Sequence, residues 1–440
     1  MKKIVIIGGG AAGLMAGIGA GENIGNKEVE IIILEKMPRP GRKIIITGKG
    51  KCNLTNLKDW NDFSCHIHPK ANFLKHSFYN LSSQGLVDFL NNNGLNTVTE
   101  RGDRVFPESH SSKDVVDALI ACAKSRGVKI LTGCDVESIS IGENKEFTIK
   151  SSGTVKEVLA DKVIICTGGL SYPGTGSTGD GFRWASEAGL KITKCFPSLT
   201  ALVPKNYKNI ASEETNMPGH ISRDTPLTDA GMLLKGNQLK NVSLKVYNSG
   251  QLLQEEFGDL DFTDGGIEGP IGFKVSRKCV NAIINGGKIT FSIDLKPAVE
   301  IADLEKRIGA LREEIAKEPR NKNKSNEQKF RILLTRLLPA QLIEGWIKTN
   351  PGLTPKRLAE KLKNWRFDIS GFVGYERAVV TAGGISTDEL SSKTMECKNI
   401  PGMYFAGEIL DLDADTGGYN LQTAFSTGYM AGQSAAKSIK

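Results

Sequence analysis

The chain has 440 residues, 39% of them hydrophobic and 24% charged, with a formal net charge of +8. That length exceeds what one hydrophobic core supports, so two or three domains or one domain with a large insertion are expected, and the composition excludes a disordered or fibrous chain. No run approaches the ~20 apolar residues of a membrane span, and the apolar start Ile4 to Ile7 breaks into three glycines, unlike a signal peptide, so a cytoplasmic protein with no membrane partner is expected.

From Lys2 to Glu35 the pattern is a buried strand (Ile4 to Ile7), a small-residue helix (Ala11 to about Gly21) and a second buried strand (Glu30 to Leu34), a βαβ unit of a parallel sheet covered on both faces. Helical patterns follow over Asn72 to Asn92 and Ser112 to Arg126, the latter capped by Ser111 or Ser112. Shorter strands alternate to about Lys150, and Asp161 to Thr167 is another buried strand ending in Gly168-Gly169. From Lys191 to Pro297, alternating runs such as Val242 to Tyr247 and Lys288 to Ile293 sit beside turn signals and read as antiparallel strands of a barrel or sandwich. Ile301 to Lys317, Glu327 to Leu338 and Lys356 to Trp365 are helical by period, while the run Lys317 to Arg331 reads as a solvated hydrophilic loop. Buried-strand patterns return at Glu376 to Ile385 and Gly402 to Ala406, and a last helix runs from about Leu421 to Lys437. The expected division is 1–190 with 371–440 as a discontinuous dinucleotide-binding domain, 191–300 as an inserted β module and 301–370 as an inserted helical module.

Gly8-Gly9-Gly10-Ala11-Ala12-Gly13 satisfies G-x-G-x-x-G, weak evidence alone but placed here between a buried strand and a helix. Glu35 ends the next strand, near the ~20-residue spacing of an acid on a ribose hydroxyl, and its charge disfavours NADP at this site. The turn demands a tight bend at Gly8, close approach of backbone to pyrophosphate at Gly10 and helix-on-strand contact at Gly13, with the helix N-terminus facing the phosphates. The turn alone does not separate FAD from NAD. The stretch Lys36 to Lys51 carries six cations and no acid, and its Arg42, Lys43 and Lys51 suit pyrophosphate or the N1 edge of a reduced flavin. Gly402 to Glu408 is a strand ending in Gly-acid, a place for ribityl hydroxyls, and the helix after Asn420 points its N-terminus at a flavin pyrimidine. Asp411, Asp413 and Asp415 alternate as in a Ca²⁺ loop, but the bidentate Glu such a loop needs is missing.

Three long segments, Gly41 to Asn56, Cys166 to Gly181 (CTGGLSYPGTGSTGDG) and Ala406 to Gln422, together with Val380 to Ile385, resemble the BaiN/YhiN-type flavoprotein family across essentially the whole chain. The resemblance implies an α/β, glutathione-reductase-like FAD fold: a Rossmann-type parallel sheet with an inserted antiparallel β module and a helical module. It also implies an aminoacetone-oxidase-like or enone-reducing chemistry, with members linked to aminoacetone oxidation and to reduction of unsaturated 3-oxo bile acids. The cofactor residues are then Gly8, Gly10, Ala11, Ala12 and Gly13 in the turn; Glu35 and Lys36; Gly41, Arg42, Lys43, Thr47, Gly48, Lys51, Cys52 and Asn53 in the basic loop; Val136, Thr167 and Gly168; and Gly407, Glu408, Asp415, Gly418, Asn420, Leu421 and Gln422 in the C-terminal return. One departure stands out. Where the family commonly shows Phe-Thr-His-x-Gly-Ile-Ser-Gly-Pro, this chain has Asp264 for the His and Glu268 for the Ser, which unsettles any proton-donor role there.

A second G-x-G-x-x-G, Gly174 to Gly179, has no acid-ended strand after it and reads as a close turn beside the FAD, so any nicotinamide binds transiently. The eight cysteines are scattered, without CxxC or metal spacing, which fits reduced thiols and no dithiol chemistry. Cys52 reads as a packed side chain, and His66-x-His68 as surface residues. The expectation is an oxidoreductase with non-covalent FAD, transferring hydride through flavin N5 between NAD(P)H or a small organic substrate and an enone-like acceptor or O₂. Lys51, Cys52, Tyr172, Asp264 and Tyr419 are candidate pocket groups, no catalytic acid is assigned, and no metal is expected. The rival readings are an RNA-associated flavoprotein, disfavoured by the absence of an aromatic-plus-basic stacking motif, and a flavin-binding regulator without turnover.

Overall fold

In the computed structural model, residues 1–25, 27–142, 146–210 and 217–439 are described, and the chain divides into two compact units, Met1–Phe196 with Val379–Lys440, and Pro197–Ala378.

The first unit is built on five parallel strands in the order Met403–Phe405, Lys162–Ile165, Lys2–Ile7, Val29–Glu35, Val128–Thr132. The central strand is buried from Ile4 to Ile7, because helices such as Ala11–Asn23 and Tyr419–Ser438 and the three-stranded sheet Cys134–Ile141, Phe147–Gly153 and Glu157–Ala160 pack into one core with it and leave no polar side to alternate. Helix Ala11–Asn23 lies against the last helix, Tyr419–Ser438, at backbone contact: a Cβ on Gly428 would sit 2.2 Å from the Ala12 carbonyl oxygen, and one on Gly432 1.9 Å from that of Ala16. The small residues of these two helices are therefore the close-packing face itself. The strands run the same way, so Gly8, Glu35, Thr167 and Gly407 all emerge at one edge, where α/β sheets bind ligands.

The second unit contains a closed antiparallel ring: Leu202–Pro204, Ile267–Glu268, Gln251–Phe262, Gln238–Asn248, Ile289–Asp294, Trp365–Val373 and back to Leu202–Pro204. Closure makes it a barrel rather than a sandwich, with Phe262, Phe291 and Trp365 among its fully buried side chains. Between the strands Ile289–Asp294 and Trp365–Val373 the chain forms helices Ile301–Lys317, Asn326–Leu337, Ile343–Lys348 and Leu358–Lys363, whose Leu304, Ile308, Leu333, Leu334, Leu358 and Leu362 are buried.

Several elements differ from expectation for local reasons. The span Asn72 to Asn92 is two helices, Ala71–Asn80 and Ser83–Asn92, because the Ser82 hydroxyl caps the second by accepting from the Gly85 N–H (3.1 Å). The run Lys317 to Arg331 is not a continuous loop: a short 3₁₀ turn, Pro319–Asn321, precedes a helix that Ser325 and Gln328 start with a capping box. Helix Gly269–Ile284 lies in the region read as strands, opened by a proline in its first turn. The strand expected over Glu376 to Ile385 is confined to Val380–Ile385. Among the described residues no helix is long and apolar enough to cross a membrane.

Candidate functional site

A cavity opens at the strand-end edge of the first unit. Its wall includes Gly8, Gly10, Ala11, Ala12, Glu35, Lys36, Gly41, Arg42, Lys43, Thr47, Val136, Thr167, Gly168, Gly407, Glu408, Asn420 and Leu421, seventeen of the residues expected to hold the cofactor. Thr175, Gly176 and Ser177, from the second glycine-rich turn, line it as well.

The opening turn is shaped by contacts that only glycine permits at two of its positions. A Cβ on Gly8, at φ +98°, would sit 2.5 Å from the Cys166 carbonyl oxygen, and one on Gly13 would sit 1.8 Å from that of Gly8. Gly10 is different: no protein atom lies within 4 Å of where its Cβ would be, so its bare backbone faces open space in the cavity wall. Gly10 is also the N-cap of helix Ala11–Asn23, without a side-chain cap and without an acid in the first turn. The helix thus presents uncapped N–H groups and the positive end of its dipole to the cavity, a cradle for an anionic group.

Glu35 fixes the turn from beside. Its Oε2 accepts from the Gly9 N–H (2.7 Å) and its Oε1 from the Met37 N–H (2.8 Å). A carboxylate has about four acceptor directions, so two remain for a ligand. Burial pushes the Glu35 carboxyl up, against the opposing pull of the Met37 and Gly9 hydrogen bonds.

The basic loop splits into bound and free cations. Lys43 donates to Glu408 Oε2 (2.5 Å) and Ser171 Oγ (2.6 Å), and Lys36 pairs with Asp180 (2.8 Å), so both charges are largely answered by protein. Arg42 is exposed, lines the cavity and has no ion-pair partner among the described residues. It is the cation left free to meet an anionic group in the cavity. Glu408 is likewise committed, since its Oε1 accepts from Ser171 Oγ (2.5 Å) and the Thr381 N–H (2.9 Å).

At the far side, helix Tyr419–Ser438 begins at Gly418 with no side-chain cap and no acid in its first turn, and Asn420 and Leu421 reach the cavity. Asn420 is held by both ends of its amide, accepting from the Ala414 N–H (2.9 Å) and donating to the Ala414 carbonyl (2.8 Å). Thr167 Oγ1 and Asn53 Oδ1 are buried polar atoms without a hydrogen-bond partner, the former in a cavity-lining residue. The unfilled space at Gly10, two uncapped helix N-termini, a free arginine and an orphaned hydroxyl together fit a dinucleotide with an anionic centre and a polar ring edge.

Eight expected residues stay out of the wall. Gly13 packs on Gly8, as described. Cys52 is fully buried with its thiol pushed up to about 12 by burial, which makes it inert at neutral pH. Gly48 and Lys51 lie in the adjoining turn, Asn53 is beside them, and Gly418 touches the Thr55 backbone. Gln422 faces away, its amide donating to the Leu81 carbonyl (2.8 Å) and Ser426 Oγ (2.9 Å). Asp415 is claimed by histidines: its oxygens meet His66 Nδ1 (2.8 Å) and His68 Nε2 (3.4 Å), and Tyr419 stacks on His66 at 4.3 Å. Burial alone would raise the Asp415 carboxyl, but those two hydrogen bonds outweigh it and hold it at about 2. The histidines read as loose surface residues are thus part of a clamp on the loop before the last helix, while among the described residues no cluster suits a metal.

In the second unit, Asp264 and Glu268 share one guanidinium. Arg377 Nη1 meets Asp264 (2.8 Å), and its Nε and Nη2 both bind Glu268. Burial would raise the Asp264 carboxyl, but Arg377 outweighs it and keeps it below the usual range. An ionised, guanidinium-bound carboxylate donates no proton at neutral pH, so Asp264 does not replace a His donor in kind.

Residues 2–434 match the family model described as HI0933-like protein Rossmann domain. The 3-dehydro-bile acid delta(4,6)-reductase of Clostridium scindens is 30% identical over 99% of this chain and 100% of its own length. The ribosomal RNA dihydrouridine synthases of Escherichia coli and Haemophilus influenzae are 29% and 28% identical, over 99% and 97% of this chain and 98% and 96% of theirs. Among solved structures, a 3-ketosteroid-delta4-(5alpha)-dehydrogenase from Rhodococcus jostii RHA1 aligns with 99% of this chain and 97% of that one, at 15% identity and a TM-score of 0.48.

Proposed function

The chain belongs to the HI0933-like protein Rossmann domain family, and on that premise we propose that it is a FAD-dependent reductase of carbon–carbon double bonds conjugated to a carbonyl. The observation that carries the cofactor is the space beside Gly10, where bare backbone and uncapped N–H groups face the cavity. Gly10 and the first helix hold the pyrophosphate with Arg42, Glu35 takes a ribose hydroxyl, Val136 borders the adenine end, and Asn420 and Leu421 bring the last helix's N-terminus to the flavin pyrimidine. FAD held there without a covalent link supplies hydride transfer at N5. The last helix, lacking acids in its first turn, favours negative charge at that ring edge and so a reduced flavin.

The relatives' activities support the choice of bond. A 3-dehydro-bile acid with double bonds at positions 4 and 6 is a conjugated ketone, and the uracil C5=C6 bond saturated in dihydrouridine is conjugated to the C4 carbonyl. One balanced reaction would saturate either bond in this chain: a hydride originating from NAD(P)H and carried by the bound flavin would reach the carbon β to the carbonyl, solvent or a side chain would give a proton to the α carbon, and NAD(P)⁺ would leave. The two ribosomal RNA relatives favour a second reading in which the same reaction runs on a uracil base in RNA.

Purified protein, NADH or NADPH and either a 3-oxo-4,6-diene steroid or a uridine-containing ribosomal RNA transcript distinguish these. Loss of the dienone absorbance supports the small-molecule reading, and dihydrouridine in the transcript supports the RNA reading. Flavin that no nicotinamide reduces, with neither product, would leave a non-catalytic flavin binder and overturn the proposal.

A further inference from the structure

We propose that the helical segment Ile301–Lys363 is a docking surface for the phosphate backbone of RNA. The inference deepens the RNA reading above and rests on it. The charge of the chain is not spread evenly. Residues 301–363 hold fifteen lysines and arginines against eight aspartates and glutamates, a net of +7, whereas the whole chain nets +8. Within it, residues 317–336 hold seven cations against two acids. The cofactor cavity lies in the other unit and its cations are used there, so this excess is not explained by FAD.

The fold sets these charges outward. The segment's apolar side chains, Leu304, Ile308, Leu333, Leu334, Leu358 and Leu362, are buried against one another and the unit's core, which leaves the opposite helix faces to the cations. Some are neutralised locally, Arg331 by Glu327 and Glu344, and Arg320 and Arg336 by Glu318. Arg312, Lys322, Lys324, Lys329, Lys348 and Lys356 have no ion-pair partner among the described residues. Unpaired like charges on one segment repel one another and weaken the isolated fold, and a polyanion removes that repulsion. The segment has two aromatic rings, Trp346, which is fully buried, and Phe330, which is half-buried, so cations far outnumber rings on it. That composition fits sequence-independent grip on phosphates, which positions an RNA and leaves base selection to the reductase site.

The test is fluorescence anisotropy of a labelled 40-nucleotide ribosomal RNA hairpin with the full-length flavoprotein between 50 and 300 mM KCl, beside the triple variant Lys322→Gln/Lys324→Gln/Lys329→Gln. Each phosphate contact contributes a slope of roughly −0.7 to −0.9 in log affinity against log salt, so three lost contacts lower the slope by about 2 and weaken binding by on the order of 100-fold at 0.1 M salt. Unchanged flavin absorbance and melting temperature in the variant show that it is folded. Wild-type protein that does not bind the hairpin at 50 mM KCl, a variant that binds as wild type does, or tighter binding to phosphatidylglycerol vesicles than to the hairpin would each overturn the proposal. Binding is read without turnover, so a failed reductase assay beside intact RNA binding would count against the catalytic reading alone.

Discussion

Gly10→Ala and Gly13→Ala are chemically identical changes three residues apart with opposite expected outcomes. At Gly10 the new methyl meets no protein atom within 4 Å and the backbone is extended at φ −78°, so the apoprotein should keep its stability to within about 0.5 kcal/mol. The methyl fills the space where the pyrophosphate would approach, and displacing a tightly packed partner costs about 1–3 kcal/mol, a loss of about 5- to 150-fold in FAD affinity. At Gly13 the methyl falls 1.8 Å from the Gly8 carbonyl oxygen, which must move with the strand that carries it. A cost of about 3 kcal/mol follows, near 6–12 °C in melting temperature for a unit of this size. Thermal melts of apoprotein and FAD titrations by quenching of flavin fluorescence read both quantities. A Gly10→Ala variant that binds FAD as the parent does, or that melts as early as Gly13→Ala, would refute the assignment of the cradle.

Glu35→Ala removes the acceptor of two backbone N–H groups and of the expected ribose hydroxyl, so FAD retention on gel filtration should fall by about 10-fold or more, and unchanged affinity would show the carboxylate is misassigned. Asp415 sits at about 2 in the folded state against an ordinary 3.8, so its ionised form stabilises the fold above about pH 4 and that contribution is lost as pH falls toward 2. Asp415→Asn should therefore cost about 2 kcal/mol in urea melts at pH 6 and visibly less at pH 3; an equal gap at both would remove the role given to the His66 and His68 clamp. Of eight cysteines only Cys65 is exposed, and burial pushes Cys52 and Cys195 up to about 12, so a native Ellman titration should show one fast thiol. Three or more fast thiols would contradict the buried placement of Cys52.

What was legible in the sequence was local. The turn Gly8 to Gly13 and Glu35 are joined by a single βαβ unit whose geometry the spacing dictates, and Gly8, Gly10, Ala11, Ala12 and Glu35 line the cavity together. The strand-end residues Thr167 and Gly407 follow from the same rule. Partners far apart in the chain were not legible: Lys43 is 365 residues from Glu408, and Asp415 is 349 from His66, so no pattern announces either pair. Gln422 lies off the cavity wall because the last helix starts at Tyr419 rather than near Leu421, and that register carries Asn420 to the cavity and the Gln422 side chain to the Leu81 carbonyl. The charge excess of residues 301–363 was visible in part, but a loop reading of Lys317 to Arg331 obscured the capped helix that organises it.

The visible spectrum of the purified protein, after incubation with FAD and removal of unbound cofactor, tests the account most directly. Flavin absorbance retained in near-equimolar amount by the parent, released by denaturant and reduced under anaerobic NADH or NADPH is the predicted result. A folded protein that stays colourless after reconstitution would contradict the account at its base.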